Sequence, residues 1–263
     1  KIILELPASF KDFIIRDADG RELPVQVGWR DGSRVEVWLE TNIPPLGYNV
    51  LGVFPGKPSK VSPRLKVYDR EVENEYIKVR VNDDGTLTLW DKVSGSVYEN
   101  LAFLKSEGEA GDLYTSYCLK DQVYTSLGAK AEVKLIDKGP LAARFRIRYK
   151  LDLPMKLTED RRKRCDKLNK YPVIMYVEVR AGSPQVDIRV ELNNSVKYQR
   201  LRICFPTRIN SDLVISQQQF DVAQFPIRPD TSNYSTKDRC PLAVSYTHLR
   251  AHETEADLVC RLL

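Results

Sequence analysis

Histidine is nearly missing: His248 and His252 are the only two among 263 residues, and both lie in the closing stretch "VSYTHLRAHETEADLVCRLL". A nucleophilic serine or cysteine is most often activated by a neighbouring histidine, so Ser-His-Asp and Cys-His sites are excluded from everything before that stretch. A zinc shell built from carboxylates alone would be equally unusual. Neither G-x-G-x-x-G nor G-x-x-x-x-G-K-[ST] occurs, which removes the glycine-rich phosphate cradles. Cysteine is sparse, and Cys118, Cys165, Cys204 and Cys240 are scattered without a C-x-x-C pair. Nothing in that spacing marks a disulfide staple or zinc knuckle, and free thiols in a reducing cytoplasm are the expectation. No apolar run approaches the roughly 20 residues needed to cross a bilayer. The start "KIILELPASFKDF" lacks both an initiator Met and the order of a signal peptide.

The histidine-bearing end admits three readings. Histidines four apart share one helical face, and Glu253 or Asp257 could complete a zinc shell. A solvated C-terminal helix is the plainer alternative. The third comes from the genetic code: Val244 to Thr254 and Asp257 to Leu263 match the in-frame translation of the two fixed segments of a short-read sequencing adapter, separated by a sample index. Residues 244–263 are therefore read as an artefactual tail and set aside from fold reasoning. Without that tail the formal charge of +5 rises by one, because it carries Arg250 and Arg261 against Glu253, Glu255 and Asp257. The remainder is mildly basic and long enough for one large domain or two modest ones.

What is present is strand material. "RVEVWLE" puts Val35, Val37 and Leu39 on one face and Trp38 with the charges on the other. In "YIKVRVNDDGTLTLWDKVSGSVYENL", Ile77, Val79 and Val81 alternate with Lys78 and Arg80, Asp84-Gly85 makes a turn, and Leu87 and Leu89 resume the alternation. A β-hairpin follows. "AEVKLIDKGPLAARFRIRYKLDL" and "VIMYVEVRAGSPQVDIRVELNN" repeat the arrangement, and no segment sustains a 3.6-residue period. The expected fold is all-β: a small β-domain (1–57), a linker (58–65) in the Pro/Gly/Ser/Lys-rich "FPGKPSKVSPR", then a large antiparallel β-sandwich (66–243), truncated, ahead of the 244–263 tail.

Two charged features lack an obvious ligand. "TEDRRKRCDKLNK" (158–170) reads either as an anionic-ligand patch or as a long solvated loop or short surface helix, offset by Glu159, Asp160 and Asp166. No aromatics are interleaved with it, and nucleic acid is not an expected partner. Asp83-Asp84 is turn chemistry. From the residues alone the chain is a soluble β-sandwich protein without a self-contained active site.

Five segments, in order, resemble the region C-terminal to the catalytic domain of glycoside hydrolase family 38, the α-mannosidases and mannosylglycerate hydrolases. They are "DADGRELPVQV" with "NIPPLGYNVLGV"; "VENEYIKVRVNDDGTLTLWDKVSGSVYENL"; "EAGDLYTSY"; "VDIRVELNNSVKYQRLRICFPT"; and "QQFDVAQFPIRP". Together they span nearly all of the first 243 residues. One departure stands out: Gln199 occupies the place where the family usually has His, and Gln cannot titrate near neutrality.

The resemblance implies hydrolysis of an α-mannosidic bond with retention, by an Asp nucleophile, a second carboxylic acid and a zinc ion that binds sugar hydroxyls. Those motifs belong to a catalytic domain expected before Lys1, so no catalytic or metal-binding residue is assigned here and the fragment alone is expected to be inactive. The expected partners are that missing domain and a mannose-containing saccharide or mannosylglycerate-like substrate, with no membrane; a homo-oligomer is compatible with such a protein. In the family a few loops of the large β-domain approach the sugar pocket. Asp112 and Tyr114, in Gly111-Asp112-Leu113-Tyr114, are the substrate-binding candidates: the ring can face a sugar and the carboxylate can hold its hydroxyls or an adjacent Arg. The other reading of that segment is an ordinary turn. Asn193 and Asn194 read as a strand end, and Arg200 and Arg202 as a structural ion pair rather than a substrate clamp. The alternative to the enzyme reading is a free-standing carbohydrate-binding or scaffolding β-sandwich.

Overall fold

A computed structural model describes residues 1–7, 9–111, 117–218, 220–227 and the strand Val259–Leu262. It is all-β, with no helix among the described residues. The N-terminal part holds β1 (Ile2–Glu5), β2 (Phe13–Arg16), β3 (Val25–Asp31), β4 (Arg34–Leu39) and β5 (Gly52–Pro55). These form a three-stranded antiparallel sheet in the order β1-β4-β3 and a β2-β5 pair. Phe13, Ile15, Val35 and Val37 close a small core between the two.

The larger part opposes two five-stranded sheets. One runs β10 (Val97–Leu101), β9 (Leu87–Asp91), β8 (Ile77–Val81), β7 (Glu71–Glu73), β6 (Lys66–Val67). The other runs β13 (Glu132–Lys138), β14 (Ala142–Pro154), β15 (Leu168–Arg180), β16 (Val186–Leu192), β20 (Val259–Leu262). On β14 the buried Phe145, Ile147, Tyr149, Leu151 and Leu153 alternate with Arg146, Arg148, Lys150 and Asp152, as a half-buried strand requires. They meet Val79, Val81 and Leu87 of the facing sheet in one core.

The three expected hairpins are all present: β8-β9, β13-β14 and β15-β16. In the first, Gly85 has φ +83, and a Cβ there would lie 2.9 Å from Ile147 Cγ2, so both backbone and packing demand glycine. Asp84 accepts from the Thr86 amide and hydroxyl and from the Gly128 amide. Burial raises its pKa, but those hydrogen bonds outweigh burial and hold the carboxyl below its ordinary value. The turn reading of Asp83-Asp84 is what the structure has, with Asp83 paired to Arg70.

Strand β20, within the segment read as an artefactual tail, pairs with β16. An edge strand offers its free N–H and C=O groups to any extended backbone, so the pairing is silent on where that segment comes from. His248, His252 and Cys240 lie outside the described residues. Among the described residues Cys118, Cys165 and Cys204 form no disulfide, and the Cys118 thiol donates to Glu109 at 3.3 Å.

The second face of β4 is not solvated. Glu36 and Trp38 project toward β14 and β15: Arg144 donates to Glu36 at 2.7 Å and to Asp137 at 2.6 Å, its guanidinium lies 5.1 Å from the Trp38 ring, and Trp38 Nε1 donates to Glu178 at 3.0 Å. Gln26, opposite Trp38 on β3, completes the junction. Its carbonyl oxygen accepts from the Leu141 and Ala142 amides, and its Nε2 donates to the Ala142 carbonyl. A Cβ at Gly139 would sit 2.2 Å from the Gln26 amide carbon, so the Gly139-Pro140 turn is shaped for this side chain. Residues 58–65 cross the same region: the Ser59 amide donates to Glu22, Val61 packs with Trp38, and Arg64 pairs with Glu40.

Candidate functional site

A third sheet carries the candidate site. It has the order β12 (Cys118–Thr125), β11 (Phe103–Glu109), β17 (Gln199–Cys204), and its β11-β12 connection contains the Gly111-Asp112-Leu113-Tyr114 segment. Asp112 and Tyr114 lie outside the described residues. What the structure places is the base of their segment. One carboxylate oxygen of Glu109 accepts from the Gly111 amide at 2.9 Å and from the Tyr117 amide at 2.6 Å. The Ala110 amide donates to the Tyr117 carbonyl at 2.8 Å. A charge-assisted acceptor shared by both ends of a segment fixes their separation.

From outside β11, Arg161 Nη2 donates to the Gly111 carbonyl at 2.8 Å and the Arg161 guanidinium lies 5.1 Å from the Tyr198 ring. The Tyr198 carbonyl in turn accepts from the Glu109 amide. Tyr117 and Tyr198 are both about half exposed, at 49% and 51%.

The basic run 158–170 proves to be an extension of the β14-β15 hairpin, closed by the Leu157-Arg164 bridge, and not a helix. Its charges divide. Arg161, Arg162 and Lys163 are exposed, whereas Arg164 is 1% exposed. Arg164 donates to the Ser106 carbonyl, stacks on Tyr124 at 5.0 Å, and its amide meets Gln122. Burial lowers its pKa, and among the described residues no carboxylate offsets it. This cation pins the hairpin extension to β11, a role that the run's composition did not distinguish.

On β17, Arg200 and Arg202 share a face, as their alternation requires, and both donate to Glu107. Lys105 pairs with the other Glu107 oxygen at 3.0 Å. Burial raises the Glu107 pKa, but Lys105, Arg202 and Arg200 together hold it below its ordinary value. Of the two readings of these arginines, the ion pair is the one present. Gln199, in the place of the family's His, bridges two neighbours: its carbonyl accepts from Ser106 Oγ at 2.8 Å and its amide donates to Asn194 at 2.7 Å. Asn194 also accepts from Tyr171 OH, whose pKa burial pushes up to about 12. Gln199 therefore serves as a fixed donor and acceptor in a network that ties the end of β16 to β11.

Sequence reasoning missed Glu109, Arg161, Tyr117 and Tyr198. The signal available was faint: an acid two residues before a glycine, and an aromatic beside the Gln199-Arg200 pair. No group of three or more His, Cys, Asp or Glu among the described residues could hold a metal ion. The described residues thus offer zinc no site.

Comparison with known proteins agrees with the β architecture. Residues 72–253 match the model for the glycosyl hydrolases family 38 C-terminal domain. A protein of Halalkalibacterium halodurans named "Putative mannosylglycerate hydrolase" is 23% identical over 174 residues, covering 60% of this chain and 19% of that protein. Two solved structures share the fold at a TM-score of 0.70 and 20% identity. They are an alpha-mannosidase from Enterococcus faecalis V583, with 84% of this chain and 29% of that one covered, and a family 38 protein from Enterococcus faecalis, with 86% and 32%. The chain spans about a fifth of the curated relative and about a third of the solved chains. With a family match over more than half its length, on a fold shared with those structures, the chain belongs to the glycosyl hydrolase family 38 C-terminal domain family.

Proposed function

We propose that this chain is the C-terminal β portion of an enzyme that hydrolyses α-mannosidic bonds, and that its 111–117 segment lends Asp112 and Tyr114 to the sugar pocket. The observation that supports this most is the clamp at the segment's base. Glu109 holds Gly111 and Tyr117 together while Arg161 holds the Gly111 carbonyl from the other side. A carboxylate also braces the plain Asp84 turn; what sets this segment apart is the second brace, Arg161, which reaches in from another hairpin, as suits a segment that positions side chains for a ligand. The catalytic carboxylates and the zinc of the family would sit in the partner domain of the parent protein, where burial of the exposed loop residues Ile43, Leu46, Tyr48 and Val50 supplies a docking surface.

The test is made on the parent enzyme with an aryl α-mannoside. Tyr114→Phe and Asp112→Asn are expected to lower kcat/KM by about ten- to a hundredfold with melting temperature unchanged, and this chain alone is expected to show no turnover with or without zinc. Turnover by the purified chain, or full activity in both variants, overturns the proposal. If the chain binds mannosides but its gene has no catalytic partner, the free-standing carbohydrate-binding reading takes its place.

A further inference from the structure

Arg161 and Tyr198 come from distant parts of the chain, and each holds a left-handed backbone that side chains rarely adopt, with φ 55 at both. Such conformations are strained and persist only where the surroundings impose them. Here the two strained residues meet each other: the Arg161 guanidinium lies 5.1 Å from the Tyr198 ring. Tyr198 stands just before β17, and its ring is half exposed. Arg161 is exposed, and among the described residues it makes one side-chain hydrogen bond, to the Gly111 carbonyl, out of the five N–H donors a guanidinium carries. An aromatic ring open to solvent beside unspent, forked donors is the chemistry that takes a sugar: a pyranose packs its C–H face on the ring while its oxygens accept from the guanidinium.

We infer that Arg161 and Tyr198 form a saccharide-binding platform that adjoins the 111–117 segment and extends its contacts to a second sugar or an aglycone. This rests on the reading of that segment as sugar-facing, and it is distinct from Asp112 and Tyr114. The neighbouring Arg162 and Lys163 are also exposed, so a ligand bearing a carboxylate gains further attraction there.

The test follows amide chemical shifts of the chain on addition of methyl α-D-mannopyranoside and, separately, of mannosylglycerate. Shifts are expected at Gly111, Tyr117, Arg161 and Tyr198, with tighter binding of the anionic ligand. Tyr198→Gly relieves the left-handed strain while deleting the ring, so it is expected to weaken binding roughly three- to tenfold without loss of melting temperature; Arg161→Gln is expected to weaken binding of both sugars and to reduce the preference for mannosylglycerate. Equal affinity in both variants, shifts confined to other surfaces, or no shift with either sugar overturns the platform. Those outcomes leave the parent-enzyme test of Asp112 and Tyr114 untouched, and the two readings therefore fail separately.

Discussion

The junction beneath β4 and the cluster at the base of the 111–117 segment are built from the same residue types: arginine, glutamate and large aromatics. In the junction, Arg144 is shared between Glu36 and Asp137 and stacked on Trp38, whose indole N–H goes to Glu178, and both Glu36 and Trp38 are almost fully buried. At the segment base, Arg161 is exposed with one side-chain hydrogen bond among the described residues, Tyr198 is half exposed, and both are strained. Saturated partners and burial are the marks of a structural joint. Unspent donors, exposure and strain are the marks of a surface held ready for something else.

The most damaging way to break that contrast is Arg144→Ala. It leaves Glu36 buried without its guanidinium, and a loss of about 3–5 kcal/mol in urea unfolding is expected. An equal loss from Arg161→Ala would erase the distinction. Gly139→Ala should cost about 1–3 kcal/mol, since the added methyl meets the Gln26 amide. In a Gln26→Ala background the same change should cost much less, and the coupling is read from a double-mutant cycle.

Acid sharpens the comparison further. Burial works against the Glu36 charge, but Arg144 and Lys1 hold its pKa below the ordinary value. A depressed folded pKa gives stability that is fully present above the unfolded value and is lost as pH falls through the folded one. Unfolding free energy should therefore drop below about pH 4, and Arg144→Ala should flatten the part due to Glu36 while leaving that of Glu107. A slope unchanged by Arg144→Ala would place the acid sensitivity elsewhere. Smallest of all should be Tyr198→Gly, expected within about 1 kcal/mol of the parent, because strain relief offsets the lost ring contact; a calorimetric loss well beyond that would make Tyr198 structural.

The sandwich itself was legible. Alternation in Ile77–Val81 and in residues 143–153 fixes which side chains point inward, and Asp84-Gly85 and Gly139-Pro140 mark the turns. Period two does not say what covers the second face of a strand, however. Glu36 and Trp38 looked like a polar side and are instead packed against β14 and β15. For the same reason Arg164 could not be told from Arg161, Arg162 and Lys163 in one basic run, since tertiary placement alone buries it beside Tyr124. The candidate segment was found through resemblance. Its brace was not, because Glu109, Arg161 and Tyr198 come from three separate stretches and left-handed backbone leaves no trace in a non-glycine residue's identity.

The central claim is that one charged cluster joins the fold and the other meets a sugar. Amide hydrogen exchange with and without mannosylglycerate tests it most directly. Added ligand should slow exchange at Gly111, Tyr117 and Tyr198 and leave Val37, Trp38 and Ala142 unchanged. Protection at the β4 junction, or none at the segment base, would contradict it.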